Sequence, residues 1–172
     1  MVRRQKHLKR LGLAITAALL WPSGSPSAQI GTCSLVPTDQ ASGAKVLRCG
    51  DDLALQAAAG TRYQMIDGTT LRLDSGALLI EFHPSERRRS FQILTPQAIA
   101  SVRGTKWAME LTPGRTATLV IDGAVTVKGG SDQGAVDLGP GQGVDVALGT
   151  GPLQVKRWTQ QRVAALLARF GR

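Results

Sequence analysis

Residues 95–111 read TPQAIASVRGTKWAMEL. Apolar and other residues alternate up to Val102, and they alternate again from Lys106, with Arg103-Gly104-Thr105 between the two runs. Alternation with period two is the pattern of a half-buried strand. Glycine tolerates the positive φ that a corner needs, and a threonine hydroxyl can bond its own neighbourhood. The stretch therefore reads as strand–corner–strand, with Trp107 filling core space.

The same grammar continues in both directions. Strand patterns cover 53–57, 62–66, 70–73, 77–82, 91–94, 99–102, 106–111, 116–121, 124–127, 136–138 and 144–147. Between them lie Ala59-Gly60, Asp67-Gly68, Asp74-Ser75-Gly76, Pro113-Gly114, Asp122-Gly123, Gly129-Gly130 and Pro140-Gly141, short breaks that preset or permit turn geometry. Asp122-Gly123, between LVI and AVTV, is the strongest hairpin signal of the chain. Turns every eight to twelve residues predict a mainly β fold, a sandwich, roll or coil of short strands, and not βαβ units. With 20 glycines and 4% aromatic residues, the core is expected to be thin.

Two segments stand apart. From 156 to 170 the period lengthens, with Val163, Leu166, Leu167 and Phe170 at helical spacing and Gly171 as a stop. Residues 156–172 are therefore expected to form one amphipathic helix, carrying Arg162 and Arg169, docked on the β domain of 29–155. At the other end, MVRRQKHLKR is basic, 11–21 is apolar and PSGSPSAQ is small and polar. That is the layout of a signal peptide over 1–28, cleaved after Ser27 or Ala28. The apolar run is too short for the roughly 30 Å of bilayer hydrocarbon, so membrane contact is expected only through the uncleaved signal. A periplasmic or secreted location follows.

Removing that segment takes away Arg3, Arg4, Lys6, Lys9 and Arg10, so the formal charge falls from +9 to +4. The basicity is partly targeting, and a nucleic-acid partner is not expected. Cys33 and Cys49 both remain. In an exported chain two cysteines most simply form one disulfide, a staple worth about 3 kcal/mol for a loop of this size. The alternative, a metal pair, lacks further ligands nearby.

A search for chemistry returns little. His83 is the one histidine after the signal and lies in the polar stretch FHPSERRRSF. No G-x-S-x-G motif, zinc ligand set or Asp-rich calcium loop accompanies it. Asp51-Asp52 follows Cys49-Gly50 and suits a turn better than an acid/base pair, because adjacent strand residues point to opposite faces. Neither catalysis nor a cofactor is expected. Arg87, Arg88 and Arg89 form the densest charge run and, with Arg162 and Arg169, are candidate interaction residues.

Taken together, Thr95-Pro96, Arg103-Gly104-Thr105, Trp107, Gly123-Ala124-Val125 and Pro140-Gly141-Gln142 resemble the FecR domain, the periplasmic module of the iron-dicitrate sensor family. The resemblance covers about 67–146. It implies an all-β periplasmic domain of stacked short strands, solenoid-like, in envelope signalling, with Arg103-Gly104-Thr105 as its signature turn. Members with full architecture pass a signal from an outer-membrane receptor to a sigma factor. Ten residues before the apolar run are too few for a sigma-binding domain, so a stand-alone exported sensor or adaptor is expected, with an envelope protein as partner. The alternative is a module binding an envelope polymer, peptidoglycan or an anionic glycan, through its arginines.

Overall fold

A computed structural model describes residues 33–36, 43–149 and 151–172. The expected signal peptide, 1–28, lies outside the described residues. The described chain runs β1 (Cys33–Val36), β2 (Lys45–Cys49), β3 (Leu53–Ala57), β4 (Arg62–Met65), β5 (Thr70–Phe82), β6 (Phe91–Leu94), β7 (Ile99–Thr112), β8 (Arg115–Lys128), β9 (Ala135–Leu138), β10 (Gln142–Ala147), β11 (Lys156–Arg157) and α1 (Gln160–Ala168). The strands form one open sheet in the order β1-β2-β3-β5-β6-β7-β8-β10-β11, with β4 on β5 and β9 on β8. β5 also pairs with β7 directly.

Three strands are far longer than their sequence suggests. The expected pairs 70–73 and 77–82, 99–102 and 106–111, and 116–121 and 124–127 are the continuous strands β5, β7 and β8. The hairpin expected at Asp122-Gly123 is absent. The tight turn between β7 and β8 is instead Pro113-Gly114, with Thr112 opposite Arg115. Gly76, Gly104 and Gly123 bend the strands without ending them.

Each bend inverts the side-chain alternation. In β5 the core receives Leu71 and Leu73, and beyond Gly76 it receives Leu78, Ile80 and Phe82. In β7 it receives Ala100 and Val102, then Trp107, Met109 and Leu111. In β8, Val120 faces the core before Gly123, and Val125 and Val127 face it after. An extra residue in a ladder swaps the faces of everything beyond it. The β7–β8 register shifts between Val102 and Thr105, as such a bulge requires. Bulges of this kind let strands pass from one packed layer to another.

The sheet consequently has two arms that share one core. One arm holds β1, β2, β3, β10, β11 and the halves of β5, β7 and β8 joined by the Pro113-Gly114 hairpin. The other holds β4, β6, β9 and the remaining halves. Three rings meet in the shared core, where Phe91 lies between Phe82 and Trp107 with centroids 6.1 and 6.4 Å away.

The cysteine loop is more ordered than expected. β1 and β2 form an antiparallel pair, and Cys33 and Cys49, opposite each other in register, are joined by the disulfide. The helix starts later than 156. Lys156 and Arg157 are already used as an edge strand on β10, and the Thr159 side chain caps the helix by accepting from the Arg162 backbone N–H. α1 lies on the outer face of the first arm. There Leu166, Phe170 and Trp158 pack on Ala58, Ala77, Leu79, Ala108, Ala117 and Leu119, where four alanines leave room for close approach.

Candidate functional site

The Arg103-Gly104-Thr105 signature lies at the bend of β7, against the bend of β8. Gly104 and Gly123 have φ of +89° and +84°, a region closed to most side chains. A Cβ on Gly123 would lie 2.5 Å from the Gly104 carbonyl oxygen. Thr105 locks the pair of bends. Its hydroxyl donates to the Ala124 carbonyl at 2.7 Å and accepts from the Ala124 N–H at 3.3 Å. Thr61 does the same for Ala77 beside Gly76, both bonds being 3.1 Å. Gly104 and Thr105 thus have structural tasks. Arg103 has none: it is exposed, and no described residue pairs with it. It borders an open groove with Ser90, Ser101, Ala124 and Thr126.

The basic loop between β5 and β6 divides into one anchored and two free arginines. Arg88 is largely buried and donates to Asp52 at 2.6 Å. Ser85 donates to the other Asp52 oxygen at 2.8 Å and accepts from the Arg88 N–H. Asp52, in the β2–β3 turn, therefore ties down the loop. Arg87 and Arg89 are exposed with no described partner, and Arg87 borders a groove with Gly50, Asp51, Gly68 and Thr69.

The helix arginines are committed to the sheet. Arg162 pairs with Asp145 at 2.5 Å and lies over the Trp158 ring at 3.6 Å. Arg169 pairs with Glu110. Arg115 reaches both acids, at 3.4 Å to Asp145 and 3.9 Å to Glu110, so a chain of charges from β7, β8 and β10 holds α1 at two points. Sequence reasoning missed these acids because ion pairs between strands leave no mark in local spacing.

The residues that could do acid–base work are few and exposed. His83 lies 3.3 Å from Glu81, which also pairs with Lys106 at 3.1 Å. The Lys106 bond, with a smaller contribution from His83, holds the Glu81 carboxyl below its usual range. Asp67 is likewise lowered, chiefly by the Thr69 backbone N–H and then its hydroxyl, in the β4–β5 turn. Among the described residues no three His, Cys, Asp or Glu side chains are grouped to hold a metal. Nor is any described helix long and apolar enough to cross a membrane. The expected site residues are therefore dispersed: the signature at the bend, Arg87–Arg89 in one loop, and Arg162 and Arg169 on the covered face.

Comparison with known proteins agrees with this architecture. Residues 42–126 match the family described as FecR protein, a span from before β2 into β8 that contains the bends at Gly76, Gly104 and Gly123. No curated protein matches the sequence. Two crystal structures of a candidate anti-sigma factor from Parabacteroides distasonis ATCC 8503 share the fold. One superposes with a TM-score of 0.57 at 19% identity, covering 80% of this chain and 61% of the other. The second gives 0.60 at 18% identity, covering 79% and 65%. This chain thus spans less than two thirds of the length of those structures. The bent three-strand centre, with its bulge at Arg103-Gly104-Thr105, thus lies in the part of the chain, residues 42–126, that is similar to the FecR family.

Proposed function

We propose that the chain is a non-enzymatic signalling regulator of the cell envelope, a periplasmic sensor or adaptor that acts by binding a protein. The carrying observation is the FecR match over the bent sheet, with structural neighbours described as candidate anti-sigma factors. The Cys33–Cys49 disulfide supports an oxidising compartment, and the signal-like layout of 1–28 supports export.

The alternative, binding of peptidoglycan or an anionic glycan, drew on five arginines. Three of them, Arg88, Arg162 and Arg169, are engaged by Asp52, Asp145 and Glu110. That leaves Arg87 and Arg89 on one loop, a small basis for a polymer.

The test combines transcription with export. Loss of the chain should change a restricted set of transcripts, and the full chain should restore them while a version without 1–28 does not. N-terminal sequencing of the mature protein should begin after Ser27 or Ala28. A photo-crosslinking side chain at Ile99 should yield one adduct of defined mass in the envelope. Unchanged transcripts, with monomer as the only crosslinking product, would refute the reading.

A further inference from the structure

We infer that the outer face of the second arm, from Arg103 to Lys128, binds an extended acidic segment of the protein partner. This rests on the adaptor reading and names the chemistry of what is bound. The starting point is a guanidinium that the fold does not use although it sits at the bend of the central strands. Arg72, Arg88, Arg115, Arg162 and Arg169 all have carboxylate partners, whereas Arg103, like Arg87 and Arg89 on their loop, has none among the described residues and is exposed. Within the signature, glycine makes the bulge and threonine locks it, so Arg103 is left for recognition.

Its surroundings have the shape and chemistry of a strip. Ile99, Ser101 and Arg103 lie outward on β7. Ser101 is opposite Thr126 and Ile99 opposite Lys128 on β8. Lys128 is exposed and also without a described partner. Four strand residues separate the Arg103 level from the Lys128 level, roughly 13 Å at the usual rise. An extended peptide laid along this strip would place carboxylates four residues apart against a guanidinium and an ammonium. The Ser101 hydroxyl offers a donor between them, and Ser90 another beside Arg103 in the groove at the bend. The acid facing the strip, Asp137 on β9, is held by a 2.6 Å bond from Thr126 and keeps its charge. Arg103 and Lys128 outnumber that one carboxylate, so the line from Arg103 to Lys128 is net cationic. A fully extended occupant suits the exposed face of β7 and β8, where carboxylates bond the guanidinium fork and ammonium in charge-assisted fashion.

The purified, oxidised chain is titrated with a fluorescent decapeptide of Ser and Val carrying Glu at positions 3 and 7. A matched peptide with Gln at those positions serves as reference. The acidic peptide should bind at least five-fold more tightly. Arg103→Gln and Lys128→Gln should each weaken it about five-fold, the effect of one exposed charge pair, with melting unchanged. Arg87→Gln should leave it unaltered. The inference is overturned if the acidic peptide does not bind, or if Arg87→Gln weakens it as much as Arg103→Gln. Binding of polygalacturonate through Arg103 with the peptide silent overturns it in favour of a polymer. In cells, an Ile99 adduct that survives Arg103→Gln with Lys128→Gln removes this inference and leaves the adaptor reading standing. Unchanged transcripts remove the adaptor reading whatever the titration shows.

Discussion

Replacing Gly123 by alanine tests the bend directly. The residue has φ of +84°, where an L side chain costs about 1–2 kcal/mol. Its new Cβ would stand 2.5 Å from the Gly104 carbonyl oxygen and 3.0 Å from Thr105 Cα. Both contacts are with backbone, so β7 itself must move. That movement strains the two Thr105–Ala124 hydrogen bonds, worth about 1 kcal/mol each. The total is about 3–4 kcal/mol, or roughly 10–15 °C in melting temperature for a domain of this size.

Gly60→Ala is the internal control. Gly60 has φ of +73°, but a Cβ there would meet no atom within 4 Å, so the variant carries the φ cost alone and should lose roughly 4–8 °C. Gly104→Ala should fall between them. Its Cβ meets Pro84 Cδ at 3.0 Å, a ring on a loop that can yield, whereas Gly104→Val should unfold or misroute the domain. Circular-dichroism melts of the three alanine variants give the ordering. If Gly123→Ala melts within about 3 °C of Gly60→Ala, the paired-bend account is wrong.

Three further outcomes follow from the same contacts. A double-mutant cycle on Arg169→Ala and Glu110→Ala should give a coupling of about 1 kcal/mol, with faster amide exchange in α1; no coupling would mean that packing alone holds the helix. Reduction of Cys33–Cys49 should remove about 3 kcal/mol, read as a lower urea midpoint, and an unchanged midpoint would show that the β1–β2 pair needs no staple. Because its partners lower the folded pKa of Glu81, its contribution is present above the ordinary value of 4.5 and is lost as the pH falls below that through the lower folded value. Glu81→Gln should therefore flatten the acid limb of the stability–pH curve, and an identical limb in the variant would exclude this carboxyl as a contributor.

Local sequence made much of this protein legible. Alternating residues and glycine-containing breaks announced the β class, and β3 and β6 have the bounds their patterns suggested. The two cysteines announced their bond, and Trp107, expected in the core, is fully buried there. The helix was visible from its period, though not its first residue, because Lys156-Arg157 is claimed by β10, a partner distant in sequence.

What the sequence could not decide was the meaning of its glycines. Asp122-Gly123 and Pro113-Gly114 both supply a positive φ, and that conformation serves a hairpin and a bulge equally well. Only the strand opposite separates them: Gly123 faces Thr105 across a continuing ladder, while Gly114 has the chain returning beside itself. The reversal of alternation across Gly76, Gly104 and Gly123 was present in the sequence, but it acquires meaning only when both halves face one core. Charges obey the same division. Arg88, Arg162 and Arg169 looked as free as Arg103 until the fold brought Asp52, Asp145 and Glu110 to three of them and no described partner to the fourth. Backbone preference is a local property and can be read along the chain, whereas the partner of a strand or a charge is fixed by tertiary packing.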